Sequence, residues 1–187
     1  MNIFFYGGTF DPPHKAHELI YQHCLKHCDK FIFFPAKSSP GKKKPICNSK
    51  QRIDMLKLLI KHNDKCNKVF IDDFEIKSIN DPSYTIETIN YLKNKYPKSK
   101  LSMVVGYDQF KNIKNWKDAD KIINSVKIIC FNRDSKNKKE HNIIDFDYNV
   151  SSSEIRSLIS NNKINLLNQF LNKEIINYII NNNLYKS

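Results

Sequence analysis

Short apolar runs alternate with longer amphipathic segments along this chain. The runs are rich in β-branched and aromatic residues, which predicts strands at 3–6, 31–34, 69–71, 101–105, 126–131 and, last and shortest, 145–148. Helical periodicity predicts helices at 15–27, 51–62, 83–96 and 117–124, and a mostly helical tail over 152–185. Because parallel strands need long crossovers, this alternation predicts an α/β protein with an open parallel sheet, helices on both faces and a helical C-terminal tail.

The charge of the chain leaves three interpretations open. The 187 residues include 31 Lys+Arg against 19 Asp+Glu, a formal net charge of +12, and only Arg52, Arg133 and Arg156 are arginines. A basic surface can bind nucleic acid by counterion release, or it can attract a phosphorylated substrate. It can also be solvated surface without a target, because the chain is crowded with Asn, Lys and Ile. The length fits one domain over 1–187.

The N-terminus and the cysteines favour a cytoplasmic protein. The apolar start is short and lacks a basic leading region, so we expect no signal peptide, and no apolar run has the ~18 residues of a membrane-spanning helix. An odd number of cysteines, five, indicates reduced thiols. Cys24 and Cys28 lie one helical turn apart beside two histidines, but no second pair follows at zinc-ligand spacing, so we expect buried helix thiols.

The densest polar motif, GGTFDPPHKAH, follows the first predicted strand and opens the first predicted helix. Glycines allow close backbone approach to a ligand, and a helix N-terminus attracts phosphate. His14 and His17 are three residues apart, so both can face the same phosphate group. The alternative is a helix cap with two surface histidines. No P-loop pattern is present.

This motif resembles the HxGH phosphate-binding signature of the nucleotidyltransferase superfamily. More narrowly, it resembles the start of the bacterial-type nicotinate-nucleotide adenylyltransferases. Ala16 stands where that family usually has glycine. We expect the extra methyl group to be tolerated, because alanine is the best helix former.

Three further segments resemble the same family, in the same order. PSYTIET at 82–88 is similar to its pyridine-nucleotide segment, GYDQF at 106–110 followed by Trp116 to its GxD…W segment, and VSSSEIR at 150–156 to its ISSTxIR motif. The first two have a plainer alternative: a helix cap at Ser83 or Asp81, and a core tryptophan. The loop after residue 35 is similar to the Pro-rich loop of the family, where Lys43 and Lys44 fit a solvated loop at least as well as a phosphate site.

The resemblance covers nearly the whole chain and implies a Rossmann-like enzyme that transfers AMP from ATP to nicotinate mononucleotide. The implied catalytic residues are His14, His17 and Arg156. The implied ATP-binding residues are Gly7, Gly8, Thr9, Phe10, His14, His17, Gly106, Asp108, Ser151, Ser152, Ser153 and Arg156. The implied nicotinate mononucleotide-binding residues are Gly8, Thr9, Lys42, Tyr84, Thr85 and Trp116.

Mg²⁺ is implied as the companion of ATP, without a protein ligand. We expect no membrane and no nucleic acid as partners, and a homo-oligomer stays open. The nearest rival is a transferase of the same superfamily that acts on phosphopantetheine or a phosphoalcohol. A nucleic-acid-binding module is the rival from another class, but the basic and aromatic residues do not interleave as in a known RNA motif.

Overall fold

The computed structural model describes residues 1–61, 64, 66–132, 143–145, 148 and 150–186, and the structural statements below concern these residues. The strands are β1 (Asn2–Gly8), β2 (Lys30–Pro35), β3 (Val69–Ile71), β4 (Lys100–Gly106), β5 (Lys127–Asn132) and β6 (Ile143–Asp145). The α-helices are α1 (Lys15–Leu25), α2 (Ser49–Ile60), α3 (Phe74–Lys77), α4 (Thr85–Lys95), α5 (Tyr107–Phe110), α6 (Ala119–Ser125), α7 (Ser152–Ser160) and α8 (Lys173–Asn181). The 3-10 helices are Ile113–Asn115 and Ile164–Gln169.

The described strands form one parallel sheet in the order β3-β2-β1-β4-β5-β6. This is the doubly wound order of Rossmann-type sheets, so the predicted fold class is confirmed. The chain builds outward from β1 to β2 and β3, and then returns to β4 on the other side of β1. The order therefore reverses between β1 and β4, where Tyr6 is paired with Val104. Ligands of open α/β sheets bind in the crevice beyond such a reversal.

Helices cover both faces of the sheet, because alternate residues of each strand point to opposite sides. Phe4 and Tyr6 of β1 belong to one buried cluster, which includes residues of α1, α2, α7 and α8. Ile3 and Phe5 belong to a second cluster, which includes residues of α4 and α6. The C-terminal helices thus complete the first layer, as the predicted helical tail requires.

Helix boundaries differ from the predicted ones where local hydrogen bonds or backbone angles decide them. The second helix begins at Ser49 because the Asn48 side chain caps it, accepting from the Gln51 N–H at 2.9 Å. The sixth helix begins at Ala119, two residues later than predicted, because Asp118 adopts a left-handed conformation with φ 56°.

The prediction of a last strand over 145–148 is wrong in its bounds. The strand β6 is Ile143–Asp145, which pairs with Cys130–Asn132 of β5, while residues 146 and 147 lie outside the described residues. Tyr148 is not part of the strand, and its hydroxyl donates instead to the Gln169 carbonyl oxygen near the C-terminus. The polar composition of 132–142 predicts a loop, and these residues lie outside the described ones, apart from Asn132 at the end of β5.

Helices α3 and α5 were not predicted, because four residues are too few to show a helical period. The thiols of Cys24 and Cys28 are buried, as predicted, and burial raises the pKa of Cys28 to about 11. Over the described ranges, no helix has the length and apolar character needed to cross a membrane.

Candidate active site

A cleft of about 1800 Å³ opens at the carboxyl ends of β1 and β4, where the strand order reverses. Every residue that the sequence predicts for substrates lines this cleft: Gly7, Gly8, Thr9, Phe10, His14, His17, Lys42, Tyr84, Thr85, Gly106, Asp108, Trp116, Ser151, Ser152, Ser153 and Arg156. Segments far apart in sequence meet there, because the carboxyl ends of parallel strands share one edge of the sheet.

The end of β1 is shaped by an aromatic ring. A Cβ atom on Gly8 would lie 2.9 Å from Cζ of Phe10, so only glycine fits under that ring. Phe10 has a positive φ of 52° and is 2% exposed, with its ring edge-on to those of His17 and Phe33. The glycine is therefore required by packing. The Phe10 ring packs against the ring of His17.

His14 and His17 lie side by side at the start of α1, with ring centroids 3.8 Å apart. They are 1% and 8% exposed, so the alternative of two surface histidines is wrong. The backbone N–H of His14 donates to Nδ1 of His17 at 3.1 Å. A ring nitrogen that accepts a hydrogen bond carries no proton, so neutral His17 holds its proton on Nε2 and is a donor there. The N–H of Lys15 is committed to the Phe170 carbonyl oxygen at 2.9 Å.

Three consecutive parts of the β1–α1 segment are held by side chains from other helices. Arg52 Nη1 donates to the Thr9 carbonyl oxygen at 2.6 Å, and Arg156 Nη1 donates to that of Asp11 at 2.6 Å. Ser152 Oγ donates to the Pro12 carbonyl oxygen at 2.9 Å. Backbone carbonyls that would otherwise be left without donors are thereby satisfied, and the segment that carries the histidines is fixed in position.

The carboxylate of Asp11 joins this segment to two further parts of the chain. Its oxygens accept from the N–H groups of Ile46 at 2.7 Å and Cys47 at 3.3 Å, and from the Tyr185 hydroxyl at 2.7 Å. Asp11 is 2% exposed, and Arg52 is close enough to interact with it electrostatically. Asp11 thus ties the histidine segment to the end of the lysine loop (residues 36–48) and to the C-terminus.

The start of α7 brings hydroxyl groups and an arginine next to the β1–α1 segment. Ser151 caps the helix by accepting from the Glu154 N–H at 3.2 Å. Ser153 Oγ accepts from Arg156 Nη2 at 3.0 Å, which leaves the Ser153 hydroxyl proton available for a ligand. The Ser152 hydroxyl group, by contrast, donates its proton to the Pro12 carbonyl oxygen and is not available as a donor to a ligand.

The start of α4 and the only tryptophan form the other end of the cleft. Tyr84 is the N-cap residue of α4 and provides no side-chain cap for the amides that follow. Lys117 lies over the Tyr84 ring, 4.3 Å from its centroid. Trp116 is half-buried: it packs against the second core cluster and also lines the cleft. The core alternative for this tryptophan is therefore met in part, and its contact with a ligand stays a prediction.

Exposed charged side chains border the mouth of the cleft. Lys42, Lys43 and Lys44 are exposed and belong to its lining, and Lys44 Nζ lies 4.0 Å from Asp81 Oδ2. Asp108 is also exposed at the lining, where it pairs with Lys111 at 3.7 Å. Exposed pairs of this kind contribute little to stability, so these side chains are free to rearrange around a charged ligand.

Four residues of the site were not predicted. Arg52 bonds to the Thr9 carbonyl oxygen, 43 residues earlier in the chain, and Tyr185 bonds to the Asp11 carboxylate, 174 residues earlier. Glu75 is a buried carboxyl group in the cleft lining near Gly7. One signal was available for Arg52. An arginine in a chain dominated by lysine indicates a need for its planar donor group, and this applies to Arg52 as well as to Arg156.

Comparison with known proteins agrees with this geometry. The cytidylyltransferase-like family model matches residues 5–158. A protein of Borreliella afzelii named "Probable nicotinate-nucleotide adenylyltransferase" is 39% identical over 99% of this chain and 97% of its own length, and one of the same name from Leptospira interrogans is 32% identical over 96% and 94%. The structure of Plasmodium falciparum nicotinic acid mononucleotide adenylyltransferase complexed with NaAD has the same fold, with a TM-score of 0.85 and 23% identity over 98% of this chain and 97% of that one. The chain therefore belongs to the cytidylyltransferase-like family and, within it, to the nicotinate-nucleotide adenylyltransferases.

Proposed function

We propose that this protein transfers AMP from ATP to nicotinate mononucleotide, giving deamido-NAD and pyrophosphate, as a step of NAD biosynthesis. An oxygen of the mononucleotide phosphate attacks the α-phosphorus of ATP, and the bond from that phosphorus to the pyrophosphate oxygen breaks. The observation that supports this most is the buried pair His14 and His17, whose rings lie 3.8 Å apart at a helix start lining the cleft. Both nucleotides fit a cleft of about 1800 Å³.

Catalysis rests on position and charge neutralisation, because phosphoryl transfer of this kind needs no protein nucleophile. Arg156 neutralises charge on the triphosphate, and His14 and His17 stabilise that charge by donating hydrogen bonds, His17 through Nε2–H. Ser153 donates its free hydroxyl proton. Ser152 keeps the Pro12 carbonyl in place, so its contribution is to position the histidine segment. The rigid hold on that segment limits the reorganisation that accompanies charge development.

The pyridine end of the mononucleotide occupies the start of α4. The N–H of Thr85 faces the pyridine carboxylate, since an α-helix N-terminus favours an anion and Tyr84 supplies no competing side-chain cap. Trp116 stacks on the pyridine ring with its cleft-facing side. The cation Lys42 and the backbone of Gly8 and Thr9 contact the nucleotide phosphate.

Mg²⁺ accompanies ATP as part of the substrate. Among the described residues, no group of three or more His, Cys, Asp or Glu is arranged to hold a metal ion. Since Mg²⁺ at nucleotide sites usually binds phosphate oxygens and water, the same mode of binding is part of the proposal. When bound, it neutralises phosphate charge alongside Arg156.

The experiment is a panel of acceptors with the purified protein and MgATP. Nicotinate mononucleotide, nicotinamide mononucleotide and phosphopantetheine are compared by pyrophosphate release and by chromatography of the products. We expect kcat/KM to be highest with nicotinate mononucleotide and no product with phosphopantetheine. Faster reaction with phosphopantetheine, or no reaction with either pyridine mononucleotide, contradicts the proposal.

The wider predictions from the sequence are part of the same proposal. The chain acts as one domain over 1–187, in the cytoplasm, on small molecules and without nucleic acid, and the homo-oligomer stays open. Most lysines among the described residues lie outside the cleft, and we propose that they form a solvated surface. Analytical ultracentrifugation with and without a duplex oligonucleotide tests both points, since tight, salt-sensitive binding would contradict this view of the charge.

A further inference from the structure

Glu75 is a buried carboxyl group in the cleft for which the mechanism above has no use. It lies on α3, is 7% exposed and belongs to the cleft lining. Thr88 Oγ1 donates to Glu75 Oε1 at 2.7 Å, and the Ser83 side chain also bonds to the carboxyl group. A carboxyl group buried against a ligand cleft is costly when ionised, so its presence calls for a functional explanation.

The two partners of Glu75 bracket the start of α4. Ser83 lies two residues before Thr85, the first residue of that helix, and Thr88 lies within its first turn. On the other side is the end of β1, where a Cβ atom on Gly7 would lie 3.8 Å from Glu75 Oε1. Glu75 therefore occupies the wall between β1 and the α4 N-terminus, next to the place that receives the pyridine carboxylate in the proposed function.

The charged groups around Glu75 do not neutralise it. From α4, Glu87 adds a like charge, and that charge is itself shared with Lys117 at 3.8 Å and with the side-chain amide of Asn80 at 3.0 Å. Over the part of the chain that the structure describes, Glu75 takes part in no ion pair.

Two titratable groups contact other parts of α3 or its C-cap, Lys37 at Ser78 and Tyr91 at Phe74, and both have hydrogen-bond partners of their own. From the loop after β2, Lys37 Nζ donates to the Ser78 carbonyl oxygen at 3.1 Å. From α4, the Tyr91 hydroxyl donates to Asp72 Oδ2 at 2.9 Å. The end of β1 contributes Gly7, which has no charge. A second carboxylate entering this pocket would thus meet an uncompensated one if Glu75 were ionised.

We propose that Glu75 is a specificity-determining residue for the pyridine substituent, admitting a carboxylate when it is neutral and an amide when it is ionised. This inference rests on the proposed function. A neutral carboxyl group can donate a hydrogen bond to the substrate carboxylate, whereas an ionised one repels it. An ionised Glu75 can instead accept from the N–H₂ group of an amide. Consistent with this, burial raises the pKa of Glu75 to about 7, and the Glu87 charge raises the pKa in the same direction.

The test is the ratio of kcat/KM for nicotinate mononucleotide to kcat/KM for nicotinamide mononucleotide, measured from about pH 6 to about pH 8.5. Titration of the histidines, the ATP and the shared mononucleotide phosphate affects both substrates and cancels in the ratio. We expect the wild-type ratio to fall about tenfold or more over this range, because Glu75 ionises as the pH rises through 7.

Two variants separate this role from a structural one. Glu75→Gln keeps the shape and the acceptor for Thr88 but cannot ionise, so its ratio should not change with pH. Glu87→Gln leaves Glu75 in place and removes a charge that raises its pKa, so the pH dependence should persist with a lower midpoint. If Glu75 had only a structural role, Glu75→Gln would lower kcat/KM for both substrates, and the ratio would depend on pH as it does in the wild type.

A measurement on the wild type alone guards against a variant that fails to fold. Calorimetric titration in buffers of different ionisation enthalpy should show proton uptake at about pH 7.5 with nicotinate mononucleotide and less with nicotinamide mononucleotide. A flat wild-type ratio, equal proton uptake, or a sloping ratio in Glu75→Gln overturns the inference. Absence of any dinucleotide product from either mononucleotide instead refutes the proposed function, so the two failures are distinct.

Discussion

Tyr185 joins the C-terminus to the β1–α1 segment through its hydroxyl group, which bonds to Asp11 and also to the Cys47 side chain. Its hydroxyl donates to Asp11 Oδ1 at 2.7 Å, and both residues are buried. Burial raises the pKa of Tyr185, so the hydroxyl remains a donor at any pH in ordinary use. The substitution Tyr185→Phe keeps the ring and removes the hydroxyl group, and with it the bond to Asp11 and the bond to the Cys47 side chain. The Asp11 carboxylate then retains the Ile46 and Cys47 amides and loses its third partner.

The expected loss follows from the charge and burial of the acceptor. A hydrogen bond to a charged group contributes about 1.5–3 kcal/mol, so Tyr185→Phe should lower the free energy of unfolding by about that amount. For a chain of this size the melting temperature should fall by about 3–12 °C. Thermal and urea unfolding followed by circular dichroism measures both, and the urea m-value should not change.

Tyr178→Phe is the matched control. The Tyr178 hydroxyl donates to Asp54 Oδ2 at 3.2 Å near the surface, where Lys50 Nζ also binds the same oxygen at 2.7 Å. This variant should lose less than about 1 kcal/mol, because a solvated acceptor with another partner needs the hydroxyl less. Equal losses in the two variants, or no loss in Tyr185→Phe, would refute the argument that Asp11 depends on a third buried donor.

Three further substitutions test packing and charge in the site. Gly8→Ala should cost about 1–3 kcal/mol of stability, because the new Cβ would meet the buried Phe10 ring at 2.9 Å, and urea unfolding would detect it. Ala16→Gly should cost about 1 kcal/mol while turnover stays the same, because the Ala16 methyl group is fully buried in the core and does not line the cleft; a large change in turnover would contradict this. Glu75→Gln should stabilise the protein at pH 8 relative to the wild type, but not at pH 4. The pKa of Glu75 is about 7 in the folded protein against an ordinary value of 4.5, so the wild type loses about 3 kcal/mol of stability as the pH rises between these values. Equal melting temperatures of the two proteins at pH 8 would count against a buried, uncompensated Glu75.

The sheet could be predicted from the sequence because its signal is local. The run 69–71 was predicted to the residue, since a short apolar stretch between polar segments marks a strand. Helix ends were less accurate, because they depend on caps such as Asn48 and on the left-handed Asp118. The bounds of strand β6 were predicted wrongly for a related reason. Tyr148 bonds to the C-terminal segment, and no local sequence pattern encodes that contact.

The candidate site could be predicted as far as its residues lie in short motifs. Those motifs follow strands, and the carboxyl ends of parallel strands lie on one edge, so their convergence follows from the fold. The supporting contacts could not be predicted, because they join distant segments: Arg52 reaches Thr9 across 43 residues, and Tyr185 reaches Asp11 across 174. The altered role of Ser152 was missed too, since which group takes its hydroxyl proton is decided only by the folded geometry.

The most direct test of the central claim is the steady-state rate of deamido-NAD formation from MgATP and nicotinate mononucleotide by the wild type and by His14→Ala. We expect His14→Ala to lower kcat by about two orders of magnitude or more with an unchanged far-ultraviolet spectrum, since a preorganised group that stabilises transition-state charge is lost. His27→Ala, which removes an exposed histidine outside the cleft, should leave the rate unchanged. A folded His14→Ala variant that forms deamido-NAD at a near-normal rate would contradict the account.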